Sequence, residues 1–293
     1  MTTADASAFQ ISELADMFHI DSTKAEIFPA ISEEDGSLYE VWYVNIGGER
    51  YVLKKAKAYE KAVYTAFFSD ISRAVPKCYG FVSYNGNDYF LMEYAEGNTL
   101  SKCNRDMLIR TLDSLIFLQN MYWENREKAG IGFTFEKSLP GRIRRGDCLK
   151  DDVSQSVYRL YLERYSSIPR TLCHDDLLPF NVLVSERNAT LIDWEYAGIL
   201  PYPSSVARLI AHGQEDPDAL FYMRDGDKRF AIRYYYDNLV CRKGISWLDY
   251  QRDMKLFLLY EYCEWIMLDS RPELSAYYKI AVKKLVHELT VDI

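Results

Sequence analysis

Two hairpin signals constrain the first third of the chain. The run "LYEVWYVNI" (38–46) alternates and is rich in β-formers, Gly47-Gly48 follows, and "RYVLKK" (50–55) returns. A two-residue glycine turn between such runs is a hairpin connection, because the turns that match strand twist require positive φ. A second pair, "CYGFVSY" (78–84) and "DYFLMEY" (88–94), is joined through Asn85-Gly86-Asn87. Between the hairpins, Tyr59, Ala62, Val63, Ala66 and Phe67 recur at helical spacing. Ahead of them "KAEIFPAI" (24–31) reads as a strand that Pro29 confines to an edge or a bulge, and "ISELADMF" (11–18) reads as a short amphipathic helix. The predicted order is strand, strand, strand, helix, strand, strand.

After Leu100 the period changes. Leu108, Leu112, Leu115, Ile116 and Leu118 share one side of a helix between Asp106 and Trp123. Further helices are expected over "DDVSQSVYRLYLERY", "YQRDMKLFLLYEYCEWIML" and "ELSAYYKIAVKKLVHEL". The chain of 293 residues thus divides into a small antiparallel-sheet lobe, residues 1–94, and a larger helical lobe, residues 95–293. Its formal net charge of −8 argues against nucleic acid or an anionic membrane as the main partner. It is compatible with a cationic small molecule. The six cysteines are scattered, with no C-x-x-C pair, so neither a zinc site nor a disulfide framework is expected. No apolar run reaches membrane-spanning length, and "MTTADASAFQISELADMF" lacks a basic start and apolar run, so cytoplasm is the expected compartment.

The densest chemistry lies in "LCHDDLLPFNVLVSERNATLIDWEYAG" (172–198). Two short strands, "VLV" and "TLID", flank a polar turn, so Asn181 and Asp193 are brought to face one point. Mg²⁺ takes hard oxygen ligands at about 2.0–2.1 Å, commonly one or two carboxylates plus phosphate oxygens. Asn181 and Asp193 match that need, which leaves Asp176 to orient a substrate hydroxyl and accept its proton. The same residue types also close ordinary turns.

The window resembles the catalytic loop H-x-D-x-x-x-x-N and the following metal aspartate of the kinase-like fold. More closely, "HDDLLPFNVLV…LIDWEYAG" is similar to the aminoglycoside phosphotransferase and choline kinase family, which carries H-G-D-x-x-x-x-N-[VI]-L and then I-D-[WF]-[EDG]. The lobe order matches over essentially the whole chain. The resemblance implies an α+β, two-lobed protein-kinase-like fold using ATP and Mg²⁺, with Asp176 catalytic, Asn181 and Asp193 on the metal, and His174 as a structural prop of the catalytic loop. The strand "YVLKKA" offers Lys54 and Lys55 on opposite faces. The family pattern ends in V-L-K, which selects Lys54 for the nucleotide phosphates, and Glu60 matches the helix glutamate that pairs with it. The phosphate-covering loop falls in "SEEDGSLYE", with the amides of Gly36 and Ser37 near phosphate. It has one glycine and is flanked by Glu33, Glu34 and Asp35, a departure from the glycine-rich pattern. In "FLMEYAEG" the backbone of Glu93 and Ala95 is implied to bond adenine.

Asp193 is followed within ten residues by Pro201-Tyr202-Pro203 and then a helix, which leaves no room for the activation segment of a protein kinase. A small-molecule acceptor is therefore expected. Glu261, Glu264 and Trp265 lie at i, i+3, i+4, an acidic and aromatic face suited to a cation of the aminoglycoside, choline or ethanolamine kind. In "PYPSSVARL" the family commonly has an aspartate that steadies the catalytic loop, and this chain has Ser205. Ser205 and the acidic, glycine-poor loop motivate a second reading, a nucleotide-binding module of the kinase fold that transfers nothing.

Overall fold

The computed structural model describes residues 13–31, 38–57, 59–71, 73–268 and 271–291. The chain divides into two compact units, Met1–Glu96 and Gly97–Ile293.

The first unit is built on an antiparallel sheet of β1 (Glu26–Ile31), β2 (Leu38–Ile46), β3 (Glu49–Lys55), β4 (Cys78–Tyr84) and β5 (Asn87–Glu93), in the order β1-β2-β3-β5-β4. Pro29 sits on the edge strand, and the register shifts between Pro29 and Ile31, so the missing N–H is accommodated by edge and bulge together. Gly47 and Gly48 have φ of +59° and +85°, and Asn85 and Gly86 +48° and +75°. These are the left-handed values that tight hairpin turns demand. Alternation sends Leu53 to one face and Lys54 to the other. On Leu53's face, Leu14, Ala15 and Ile20 pack with Val44, Tyr89 and Leu91. On Lys54's face lies α1 (Glu60–Phe67), whose Tyr64 ring meets Phe90 at 5.3 Å. The helix buries Glu60, Val63, Tyr64 and Phe67, a face rotated by one position from the apolar spacing read in the sequence. Its rotation brings Glu60 inward to the Lys54 ammonium.

The second unit contains α2 (Arg105–Met121), α3 (Phe135–Arg145), α4 (Asp152–Ser167), α5 (Ser204–Ala211), α6 (Asp225–Asn238), α7 (Trp247–Leu268) and α8 (Pro272–Val291). Asn104 caps α2 by accepting the Met107 N–H at 3.0 Å, and Leu108, Leu112, Leu115 and Leu118 are buried. Two small sheets hold the polar window. β7 (Arg170–Cys173) pairs antiparallel with β10 (Gly198–Pro201), and β6 (Asn98–Thr99), β8 (Val182–Val184) and β9 (Ala189–Leu191) form the second. A Cβ at Gly198 would stand 2.3 Å from the Phe133 carbonyl oxygen, so only glycine admits that approach. No helix among the described residues is long and apolar enough to cross a membrane.

Candidate active site

The polar window becomes a loop between β7 and β8. The Asp176 carbonyl accepts the Leu178 N–H at 2.8 Å and the Asn181 Nδ2–H at 2.8 Å. Because the Asn181 amide nitrogen is committed, its oxygen Oδ1 is turned the other way. The Asn181 carbonyl in turn accepts the Ile192 N–H at 2.9 Å, which sets Asn181 beside the residue preceding Asp193. Asp193 has φ of +64°, the left-handed region, where the chain turns sharply out of the hairpin.

His174 is fully buried. Its Nε2 lies 2.7 Å from the Ile192 carbonyl oxygen. A carbonyl only accepts, so the proton is on Nε2. Burial holds this imidazole below the usual histidine range, although the Ile192 bond pulls the other way. His174 therefore ties the loop to the strand ahead of Asp193 as a neutral ring, packed against Trp194 at 4.5 Å between centroids. Its backbone N–H donates to Ser205 Oγ at 2.9 Å. The serine that replaces the family's aspartate thus accepts a buried loop N–H.

Asp175 and Asp176 diverge. Asp175 stands where the family pattern has glycine, and its φ is +61°, a conformation glycine adopts without strain. Its carboxylate pairs with Arg142, and the two side chains are 7% and 6% exposed. Burial pushes the Asp175 carboxyl up, and Arg142 pulls it back. Arg142 also donates to the Tyr260 hydroxyl and lies over the Tyr260 and Tyr165 rings at 4.4 and 5.0 Å.

Asp176 is partly open, with 28% of its side chain exposed. Its Oδ1 accepts Arg208 Nε–H at 3.2 Å and Nη2–H at 2.9 Å. Among the described residues, Oδ2 accepts no hydrogen bond. The other side of the Arg208 guanidinium donates from Nη1 to Glu261 Oε2 at 3.0 Å and to Glu264. Arg145 adds a second cation, 3.6 Å from Glu261 and 3.5 Å from Glu264. Burial pushes both glutamates up, but Arg208, His212 and Arg145 outweigh it and hold both below the usual carboxylate range.

The seat that the sequence reserved for a substrate cation is therefore filled. Glu261 and Glu264 do converge, but on Arg208 of this chain, which corrects the expectation of an open acidic face. Trp265 separates from them. Its Nε1–H donates to His212 Nδ1 at 2.8 Å, and its ring stacks on Tyr278 with a 9° interplanar angle. It lines a cavity of about 240 Å³ together with His212, Gln214, Phe221, Arg271 and Tyr278.

In the first unit, Lys54 Nζ pairs with Glu60 Oε1 at 2.6 Å, with side chains 11% and 1% exposed. Glu60 Oε2 accepts the Lys57 N–H at 3.2 Å, so helix start and strand are joined through one carboxylate. Lys55 points to the other face and pairs with the exposed Glu40. Glu93 ends β5, with its N–H donated to the Lys77 carbonyl at 2.8 Å, and Ala95 follows two residues beyond. Gly36 and Ser37 lie outside the described residues, as do Glu33, Glu34 and Asp35.

The residues missed from sequence are Arg142, Arg145, Asp175, Arg208 and His212. One signal was available. All eight residues of α5, "SSVARLIA", are buried, and an arginine inside such a small, apolar helix is a buried cation that needs anions.

Comparison with known proteins agrees with this architecture. A family model described as phosphotransferase enzyme family matches residues 34–235. No curated protein is matched by sequence. Among solved structures, a choline kinase from Cryptosporidium parvum is similar with a TM-score of 0.59 at 14% identity, covering 94% of each chain. An aminoglycoside phosphotransferase from Alicyclobacillus acidocaldarius gives 0.55 at 13%, covering 91% of this chain and 92% of that one. An amicoumacin kinase in complex with AMP-PNP, Ca²⁺ and amicoumacin gives 0.57 at 13%, covering 98% and 96%. At these identities the likeness establishes the kinase-like fold.

Proposed function

The chain belongs to the phosphotransferase enzyme family, and from that premise we propose that it transfers the γ-phosphoryl group of ATP to a hydroxyl of a small molecule with the help of Mg²⁺. The observation that carries this reading is the loop geometry: one turn holds Asp176, and its carbonyl anchors the Asn181 amide beside the strand that leads to Asp193. That anchoring supports a metal role, because a hard cation needs oxygen and Asn181 presents oxygen once its nitrogen is occupied. Asn181 and Asp193 would hold the ion, which when bound offsets charge on the transferring phosphoryl group.

The chain's own residues do the rest. Lys54, steadied by Glu60, meets nucleotide phosphate. Glu93 and Ala95 offer backbone to the base. Asp176 aligns the acceptor hydroxyl and takes its proton, with His174 and Ser205 keeping the loop in shape. Phosphoryl transfer asks the protein mainly for positioning and charge neutralisation. The acceptor is a small molecule with a hydroxyl that reaches Asp176. A cationic acceptor would meet Trp265 rather than Glu261 and Glu264, since arginines already occupy those acids. The non-transferring alternative loses one of its motives, because Ser205 anchors the loop.

The test is ADP release with MgATP and a panel of choline, ethanolamine, kanamycin and hexoses, in wild type and Asp176→Asn. Turnover of one acceptor that falls about 100-fold or more in Asp176→Asn, to a residual rate that can still be measured, supports the assignment. Turnover that survives unchanged removes Asp176 from its role, and absence of any thermal shift with MgATP removes the nucleotide.

A further inference from the structure

Resting on the phosphotransfer reading, we propose that Arg208 is the positioning residue of Asp176, fixing which carboxylate oxygen meets the acceptor hydroxyl, and that Glu261 and Glu264 serve the reaction by seating this arginine.

Asp176 is held at two points. Its carbonyl receives the Leu178 N–H and the Asn181 amide, which fixes the backbone. Its Oδ1 receives two N–H groups of one rigid fork, which fixes the carboxylate plane. What remains is Oδ2, a single acceptor with a set direction. An unclamped aspartate would offer two equivalent oxygens on a freely turning bond. Arg208 supplies the clamp because a guanidinium is planar and stays charged across the working pH range.

The clamp must itself be held, and the far side of the guanidinium is. Glu261 and Glu264 accept from Nη1, and Arg208 is only 10% exposed. His212 completes the seat. The Trp265 indole can only donate, so Nδ1 of His212 is an acceptor and the ring proton is on Nε2. That N–H faces Glu264 Oε2 at 3.3 Å. The close approach of Arg208 Nη1 to the same nitrogen, 2.9 Å, is then a contact between two donors directed at shared carboxylates. His212, Glu261 and Glu264 offer ligand atoms within 4.8 Å of one another, a spacing fit for a metal. Arg208 occupies that position, so a metal there would have to release Asp176. The clamp thus extends through side-chain contacts from Asp176 to Arg208, Glu264, His212 and Trp265.

The experiment uses the acceptor that the wild type phosphorylates fastest from the panel above, with Arg208→Gln, Arg208→Lys, Glu264→Gln, and Arg208→Gln in the Asp176→Asn background. Arg208→Gln is expected to lower kcat about 10- to 100-fold with the KM for MgATP within about twofold. Arg208→Lys, which keeps the charge and loses the fork, recovers only part. In the Asp176→Asn background Arg208→Gln adds no further loss. Unchanged kcat in Arg208→Gln, or a full additional loss in the Asp176→Asn background, overturns the proposal. Should Arg208→Gln fail to fold, Glu264→Gln, which leaves Glu261 and Arg145 in place, is expected to lower kcat about tenfold at unchanged KM for MgATP, and unchanged kcat there overturns it equally. If the wild type phosphorylates no member of the panel, the phosphotransfer reading falls by itself. The clamp is then judged from the melting temperatures of Arg208→Gln, Asp176→Asn and the double variant: a combined loss smaller than the sum supports it, and additive losses overturn it.

Discussion

Replacing Asp175 by glycine sets two opposed effects against each other. Glycine relieves the left-handed backbone at φ of +61°, a strain of about 1–2 kcal/mol for an L-residue. It returns about 0.5–1 kcal/mol of that through the greater freedom of the unfolded chain. The backbone gain is therefore between zero and about 1.5 kcal/mol, centred near 1. The same change strips Arg142 of its carboxylate, with both side chains less than a tenth exposed. Breaking a buried pair from one side costs about 3–5 kcal/mol. Arg142 keeps the Tyr260 hydroxyl and two ring faces, which puts the loss near the lower bound. The balance is a destabilisation of about 2 kcal/mol, or a melting temperature lower by about 4–8 °C. Thermal and urea unfolding of the wild type, Asp175→Gly and Asp175→Asn measure it. Asparagine tolerates the same backbone and loses only the charge, so it should fall between the two. Adding Arg142→Met to Asp175→Gly should recover most of the loss. Asp175→Gly melting at or above the wild type would refute the reasoning, since the tyrosines alone would then suffice for Arg142.

Lys54→Met removes the cation from a carboxylate whose side chain is 1% exposed. Calorimetric titration with MgATP should show affinity reduced at least tenfold, with a stability loss of about 3 kcal/mol. Adding Glu60→Gln should restore stability and leave binding weak, and restored binding would detach Lys54 from the nucleotide. Acid unfolding checks the Arg208 seat. Glu261 and Glu264 lie below the ordinary value of 4.5 in the folded chain, so their stabilisation is complete above that pH and is lost as pH falls below it. The unfolding midpoint should be flat near neutrality and decline below about pH 4.5, and Glu264→Gln should make that decline shallower. An identical acid limb would count against the seat.

The sheet was legible because alternation, glycine turns and an edge proline are local signals, and each acted locally. α1 was legible as a helix but rotated by one position, because an ion pair to Lys54 outweighed the apolar face. α3 was hidden by Pro140, which reads as a breaker although it lies within the helix. β10 carries no alternation because all four residues are buried. The acidic face of α7 was read from i, i+3 spacing, yet its partner comes from 53 and 56 residues away. Spacing reports which side chains share a surface. It does not report what another element brings to that surface, and here an arginine from α5 turned a cation-binding face into an internal support.

Ser205 gives the loop between β7 and β8 an attachment without charge. A carboxylate in its place would make the hold on the His174 N–H sensitive to ionisation and to neighbouring fields. A hydroxyl accepting an amide carries nothing for dissolved ions to screen. Three residues on, Arg208 holds the same loop by charge-assisted hydrogen bonds to Asp176. The loop therefore hangs from two fastenings of different kinds, and only the charged one, partly open at Asp176, offers dissolved ions anything to screen. Salt titration of the loop's amide exchange would separate the two, with His174 N–H protection constant while the environment of Asp176 changes.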